Sequence, residues 1–406
     1  MRIAIYWEQD EWGGVDTHLL TLLQTWPNPN DEFVLFYNKG NSGLVRIQES
    51  LHQFENVELF EVISYSYNEV ISRVSSILKS RWQRAPLYFF QPLLYLFMIS
   101  RLSKAFRKAE QFDLLFSNNG AYPAAWGCQS AIRAGAKVGI KKRVLMVHHE
   151  ATKSRKFMGW FERLVDNMII RDASAIICPS RATKKTLLQR RAFTEENIPI
   201  HVIHNGVGQS EDFDKGIIIR ERLKSNTGLL VGIVGRIQSY KGHEDLILAL
   251  SRLSEEHRKI IHLVVIGKGE ESEIDRLKAL SDSLDISEQI SFLGYIPGDS
   301  KALIKQLDLL VVATRSFEGF GLTLAEAMIV KTPVLATRVG AIPEFVDDSV
   351  GTLVNPSSPK DLALALTDFV ENREKWFERC ELAQKRIDTI SSNMAKNYQE
   401  LFKAMH

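Results

Sequence analysis

Leu229-Leu-Val-Gly-Ile-Val-Gly-Arg236-Ile-Gln-Ser-Tyr-Lys241-Gly-His243 decides the fold. A continuous apolar run reads as a parallel strand covered on both faces. A glycine-bearing basic turn follows, and then a helical pattern over His243–Leu253. The arrangement recurs at His262-Leu-Val-Val-Ile-Gly267, followed by a helical stretch at Glu271–Leu284. Working outward, further second-half strands are expected at Ile290–Leu293, Leu309–Ala313, Pro333–Ala336 and Gly351–Val354. In the first half they are expected at Arg2–Trp7, Phe33–Tyr37, Val57–Ile63, Asp113–Ser117, Arg143–His148, Ala175–Pro179 and His201–His204. Strand–helix alternation through the whole chain means α/β, and 406 residues mean two doubly wound domains. The boundary is expected within Gly206–Asn226, giving domains at 1–205 and 206–375. A helical tail of about 376–406 follows and is free to cross back to the first domain.

Apolar residues make up 45% and charged residues 25%, which excludes disorder and low-complexity chains. The net charge of +2 demands no polyelectrolyte partner. It hides an asymmetry. Residues 1–205 carry 26 Lys and Arg against 19 Asp and Glu, and the remainder 25 against 30, so the halves differ in sign. Three cysteines with no CxxC pair argue against a disulfide framework or zinc cluster and fit a reducing compartment. No apolar run reaches the length of a membrane span. The start of the chain, with Glu8, Asp10 and Glu11 close behind a short apolar run, reads as a buried strand rather than a signal peptide.

Four stretches carry chemistry. Ser316-Phe-Glu318-Gly-Phe-Gly321-Leu-Thr-Leu-Ala-Glu326 follows a strand and opens a helix, whose free N–H groups suit a diphosphate. Glu318 in the loop is placed for sugar hydroxyls and Glu326 in the helix for a ribose diol. The alternative is a solvated acid and a helix acid that satisfies the dipole. Arg236 and Lys241 can converge on phosphate oxygens, or remain solvated loop cations. Trp12-Gly13-Gly14-Val15 is a βα turn suited to an anion, or only a tight turn. His148-His149-Glu150 ends a strand, where open α/β sheets line their ligand crevice. His149 is placed there for a substrate hydroxyl or a developing charge, or as a structural loop histidine.

The chain resembles the GT-B retaining glycosyltransferases of family 4. Glu318 and Glu326 match its E-x7-E motif, Gly235-Arg236 with Lys241-Gly242 its GR-x4-KG element, and Gly13-Gly14 its N-terminal glycine loop. Asn205-Gly206-Val207, Gly267-Lys-Gly269 and Gly340-Ala-Ile-Pro343-Glu344 match its NGV, G-x-G and GG-x-PE elements, with order and spacing kept to about Asn372. Two departures stand out: Glu150 where Asp is commoner, and Ala341 for the second glycine of the GG-x-PE turn. The resemblance implies two Rossmann-like domains facing each other across a cleft. The first would meet the acceptor and the second a nucleotide-sugar donor. It further implies that Arg236 and Lys241 hold the diphosphate with help from the Gly14 backbone. Glu318 and the amides of Phe320, Gly321 and Leu322 would hold the sugar and phosphate, Glu326 the ribose, and the loop around Ile296 the base. The catalytic set it implies is Glu318, His149, Arg236 and Lys241.

The implied reaction retains anomeric configuration, with the leaving diphosphate stabilised by fixed positive charge. No cofactor and no essential metal are expected. Asp212-Phe-Asp214, formally a DxD, lies in the linker and reads as a solvated pair. The acceptor is expected to be a saccharide, lipid-linked, as in surface polysaccharide or lipopolysaccharide assembly. Aromatic and apolar residues in Ala85–Ser100, flanked by Arg81, Arg84, Arg101, Lys104, Arg107 and Lys108, suit a peripheral enzyme at the inner face of the cytoplasmic membrane, or a buried helix pair with basic ends. Lys141-Lys-Arg143 with Lys153, Arg155 and Lys156 brackets His149 and could meet an acceptor phosphate, or be solvated surface. A nucleic-acid partner is not expected. The competing readings are a sugar-nucleotide epimerase, a glycan phosphorylase or a soluble small-molecule glycosyltransferase on the same fold, or a non-catalytic protein that binds nucleotide sugars.

Overall fold

The computed structural model describes residues 1–9, 13–62, 66–77, 90–208, 219, 223 and 228–405. They form two compact units, Met1–Gly206 with Ser392–His406, and Val207–Ser391. The boundary falls at the NGV tripeptide, and most of the linker with Asp212 and Asp214 lies outside the described residues.

The first unit holds β1 (Arg2–Trp7), β2 (Glu32–Asn38), β3 (Val57–Val62), β4 (Leu114–Asn119), β5 (Lys142–Val147), β6 (Ala175–Cys178) and β7 (Ile200–Val202). They make one parallel sheet in the order β3-β2-β1-β4-β5-β6-β7. The period of two along β1 sends Ala4 and Tyr6 into one core layer and Ile3, Ile5 and Trp7 into the other. Both faces are therefore covered, which is why the strands read as unbroken apolar runs.

The second unit holds β8 (Leu229–Val234), β9 (Ile261–Ile266), β10 (Ile290–Gly294), β11 (Leu309–Val312), β12 (Val334–Thr337) and β13 (Thr352–Val354). Its parallel sheet runs β10-β9-β8-β11-β12-β13. Leu229, Val231 and Ile233 face one layer and Leu230 the other. In each sheet the strand order reverses at one place, between β1 and β4 and between β8 and β11. There successive crossovers leave on opposite faces and open a crevice at the strand carboxyl ends.

The tail divides later than its sequence implies. One helix runs Cys380–Ala404. Its start belongs to the second unit, where Ala383 and Ile387 enter a core layer. Met394, Ala395, Tyr398 and Phe402 fill the first unit's layer beside Ile3, Ile5, Trp7 and Phe116. The change of unit comes at Ser391/Ser392 rather than near 376. Ser391 Oγ accepts from the Val207 amide and Met394 Sδ from the Gly206 amide, each at 2.9 Å. Phe402, fully buried, packs on Phe116 and Tyr398. Phe402→Ala should cost the first unit about 3–5 kcal/mol, read as a lower urea midpoint by circular dichroism.

Candidate functional site

The site in the second unit grows from the β8/β11 reversal. The loop 235–242 leaves β8 and the loop 313–321 leaves β11, so neighbouring strands deliver both loops to one edge. Gly242 joins them. Its φ of +76° is left-handed, and a Cβ there would lie 1.9 Å from the Ala313 carbonyl oxygen, so only glycine seats the basic loop on the end of β11. Arg315 staples the same junction. Its amide donates to Tyr240 O (2.7 Å), and its guanidinium donates to both oxygens of Asp245 (2.6 and 2.7 Å) and to Glu244 (3.2 Å).

This seating brings Lys241 and Glu318 together, with Nζ donating to Oε1 at 2.5 Å. The buried Thr314 hydroxyl donates to the same Oε1 at 2.6 Å. Gly340 backs the carboxylate from behind. Its φ is +52°, and a Cβ there would lie 2.1 Å from Glu318 O and 2.6 Å from Glu318 N. The next residue, Ala341, donates its amide to Glu318 O at 2.9 Å. Ala341 has φ −80°, ordinary for any residue, so the departure from a double glycine costs the turn nothing. Arg236 is exposed and, among the described residues, has no hydrogen-bond or ion-pair partner.

Gly321 is the N-cap of the helix Leu322–Ile329, whose first N–H groups lack intrahelical acceptors. The Phe320 side chain is buried and stacked on Phe345 at 4.8 Å, so only its main chain is presented. The Ile296 side chain also lies in the core. The exposed ring in that loop is Tyr295, with Lys268 Nζ 4.7 Å from its centroid. Glu326 is buried in the second turn of the helix. Burial pushes its carboxyl up to about 7, against a Ser300 hydrogen bond and the Lys301 charge. Burial, reinforced by the Lys241 charge, pushes the His243 imidazole down to about 4.

In the first unit, Gly13 caps the helix Gly14–Gln24, and Gly14 is exposed at its first position. Asp16 ties this turn to β1. It accepts from the Gly13 amide (2.6 Å), the Trp7 indole (2.7 Å) and Gln9 (2.9 Å), while burial pushes its carboxyl up to about 6. Trp12 lies outside the described residues. His148 is buried. Its Nε2 lies 2.8 Å from Asn118 Oδ1, and its ring is 4.4 Å from that of His18. Burial, with His18 adding, holds it well below the usual imidazole range. His149 is half-buried just past the end of β5. Glu150 accepts from Arg190 at 2.6 Å.

The basic cluster expected around His149 does not assemble. Lys142 and Arg143 open β5 and His149 lies beyond its other end, six residues on, roughly 20 Å along a strand. Lys142 donates to Phe402 O (3.1 Å) and Arg143 to Asp172 O and Ile140 O, all main-chain acceptors. Arg155 pairs with buried Glu162 and with Gln91. Sequence reasoning missed Thr314, Arg315, Gly340 as the backing of Glu318, and Asp16; in the Gly294–Pro297 loop it singled out Ile296, which is buried, where Tyr295 is the exposed side chain. Only Gly340 carried a signal, in its PE turn. Among the described residues, no three His, Cys, Asp or Glu side chains converge as a metal site, and no helix is long and apolar enough to cross a membrane.

Two strand-order reversals, one carrying a Lys–Glu pair beside a helix N-terminus, define a pair of doubly wound, Rossmann-like units. The family described as Glycosyltransferase Family 4 matches residues 12–210, and Glycosyl transferases group 1 matches 214–386. The chain belongs to the GT-B glycosyltransferases of family 4. It is 27% identical over 259 residues to a D-inositol 3-phosphate glycosyltransferase of Corynebacterium jeikeium, covering 60% of this chain and 61% of that protein. It is 34% identical over 145 residues to the lipopolysaccharide core biosynthesis mannosyltransferase LpcC of Rhizobium leguminosarum, covering 35% of this chain and 40% of that one. The chain thus spans about two fifths to three fifths of these relatives' length. Anabaena HepE, solved in complex with UDP and glucose, matches over 99% of both chains with a TM-score of 0.72 at 20% identity, a likeness of fold.

Gly340→Ala should strain the turn and push Glu318 off Lys241, lowering the melting temperature of the second unit. Ala341→Gly, with no such clash, should cost only about 0.4–1 kcal/mol through the unfolded chain. Calorimetry separates the two. Glu326 keeps its proton longer when folded, so its contribution is fully favourable below pH 4.5 and declines until about pH 7. The decline is worth roughly 3 kcal/mol. Glu326→Gln should remove it, read from urea unfolding at pH 5 and pH 8.

Proposed function

We propose that the chain is a retaining glycosyltransferase that moves a sugar from a UDP- or GDP-sugar to a saccharide acceptor without an essential metal. The acceptor is lipid-linked and belongs to surface polysaccharide or lipopolysaccharide synthesis. The observation that carries this reading is the Lys241–Glu318 pair at the β8/β11 edge, beside the Leu322–Ile329 helix N-terminus and the exposed Arg236. These groups suit the two halves of a nucleotide sugar. Arg236, Lys241 and the helix amides would meet the diphosphate, and Glu318 the sugar hydroxyls. As the anomeric bond lengthens, negative charge grows on the diphosphate, and cations already fixed in place stabilise it without reorganising. Glu326 would accept from the ribose diol, best when ionised. In the first unit His149 would meet the acceptor side.

HepE's complex with UDP and glucose supports a nucleotide-sugar donor, and LpcC's name supports a saccharide acceptor of the lipopolysaccharide type. The location that fits is the inner face of the cytoplasmic membrane.

Purified protein is assayed with a panel of UDP-, GDP- and ADP-sugars for release of nucleoside diphosphate and extension of acceptor. Lys241→Ala should lower turnover about 10²–10³-fold, and Glu318→Gln should lower it sharply with the fold intact. EDTA treatment should leave turnover unchanged; restoration by Mn²⁺ of a lost activity would remove the metal-free mechanism. UDP-glucose, which has no phosphate titrating near neutrality, should bind more tightly as pH rises through 7, and Glu326→Gln should flatten that dependence.

A further inference from the structure

We infer that the first unit carries a membrane-docking face built from two neighbouring helices, which takes an anionic lipid surface. The helix Gln91–Lys108 buries Tyr95, Met98, Ile99 and Leu102 on one side. Its opposite side, at helical spacing, exposes Leu93, Leu96 and Phe97, with Phe90 just ahead. The same stripe continues into Arg101, whose guanidinium lies over the Phe97 ring at 5.1 Å, and into Lys104. The helix Gly159–Asp172 does likewise. Phe161, Val165 and Ile169 are buried, while Trp160 (59% exposed) and Leu164 (52%) face outward. Phe157, in the turn before it, is 86% exposed. Lys153, Lys156 and Arg163 are the exposed charges among them.

The two helices are neighbours. Tyr95 packs on Phe161 at 5.6 Å, and Arg155 donates to Gln91 at 2.5 Å. The surface therefore combines seven large exposed apolar side chains with a cationic rim. Large exposed apolar patches on a soluble unit mark an interaction site.

The charge pattern selects the occupant. No Asp or Glu occurs between Phe90 and Ala109, or between Ala151 and Phe161. The acids of the second helix's first turns, Glu162 and Asp166, are turned inward onto buried Arg191. A second copy meeting this face across a two-fold axis would set cations against cations. An anionic bilayer neutralises the rim and receives the aromatic and leucine side chains at its interface. The segment at 85–89, which the sequence places with this stripe, lies outside the described residues, and the face does not rely on it. The face's purpose rests on the lipid-linked acceptor proposed above. Its existence does not.

The full chain is co-sedimented with vesicles of phosphatidylcholine alone or mixed with phosphatidylglycerol, at low and high salt. Binding is expected only with phosphatidylglycerol, and weaker at high salt. The double variant Phe157→Ser, Trp160→Ser should bind at least about tenfold more weakly with an unchanged unfolding midpoint. So should Lys153→Gln, Lys156→Gln. Leu364→Ser, which removes an equally exposed leucine of the second unit, should bind as the parent does. No sedimentation with anionic vesicles at low salt overturns the inference. Equal binding by the Phe157/Trp160 variant overturns it as well. So does a dimer seen by light scattering that the variant abolishes, with no vesicle binding. Nucleoside diphosphate release on the same preparations keeps the readings apart: vesicle binding without turnover removes the transferase, and turnover without vesicle binding removes the docking face.

Discussion

The second unit depends on one constraint: β8 and β11 lie side by side while their connections leave on opposite faces of the sheet. The loops 235–242 and 313–321 lie far apart in sequence and would otherwise have no reason to meet; here the hydrogen-bonded strands beneath them hold them at one edge. Close backbone approach then does the fine positioning. Gly242 lets the basic loop rest on Ala313, and Gly340 lets the PE turn rest on Glu318. Between them stands the Lys241–Glu318 pair, with Thr314 holding the carboxylate from the strand side. Loops seated this way are held by close main-chain contact as well as by side chains, so the Lys241–Glu318 pair is fixed before anything binds there.

The first unit uses the same plan with different chemistry. At its β1/β4 reversal stand a buried imidazole pair at His18 and His148, and Asp16 clamping the glycine turn. Burial keeps both histidines uncharged near neutrality. Exposed cations, Lys104, Lys153, Lys156 and Arg163 among them, stand instead on or just before two outer helices.

How much of this was legible can be judged residue by residue. The strands were, because parallel strands covered on both faces must be apolar at every position; Leu229–Val234 and Ile261–Ile266 need no partner to be recognised. Arg236, Lys241, Glu318 and Glu326 were legible as candidates through their spacing around loops and a helix start. Their supports were not. Arg315 acts through Asp245, seventy residues away in sequence, and Gly340 acts on the main chain of Glu318. Neither relation leaves a local pattern. Lys141–Arg143 brackets His149 in sequence only, because an extended strand carries its ends far apart. The outward Phe157 and Trp160 escaped for the opposite reason, since aromatic residues at helical spacing read as core until their exposure is seen.

The helix Cys380–Ala404 has a consequence for how the chain is made. The first unit is not contiguous: it lacks Met394, Tyr398 and Phe402 until the segment after Ser391 is made. During synthesis, the layer beside Ile3, Ile5 and Trp7, shared with Leu19, Leu22 and Leu23, therefore stays only partly covered while the whole second unit emerges from the ribosome, roughly ten to forty seconds at common elongation rates. The covering of the sheet that contains β1 is completed only after the second unit has been made. Throughout that interval the nascent chain presents an apolar sheet face, a surface for chaperones to shield and for neighbouring nascent chains to mispair with.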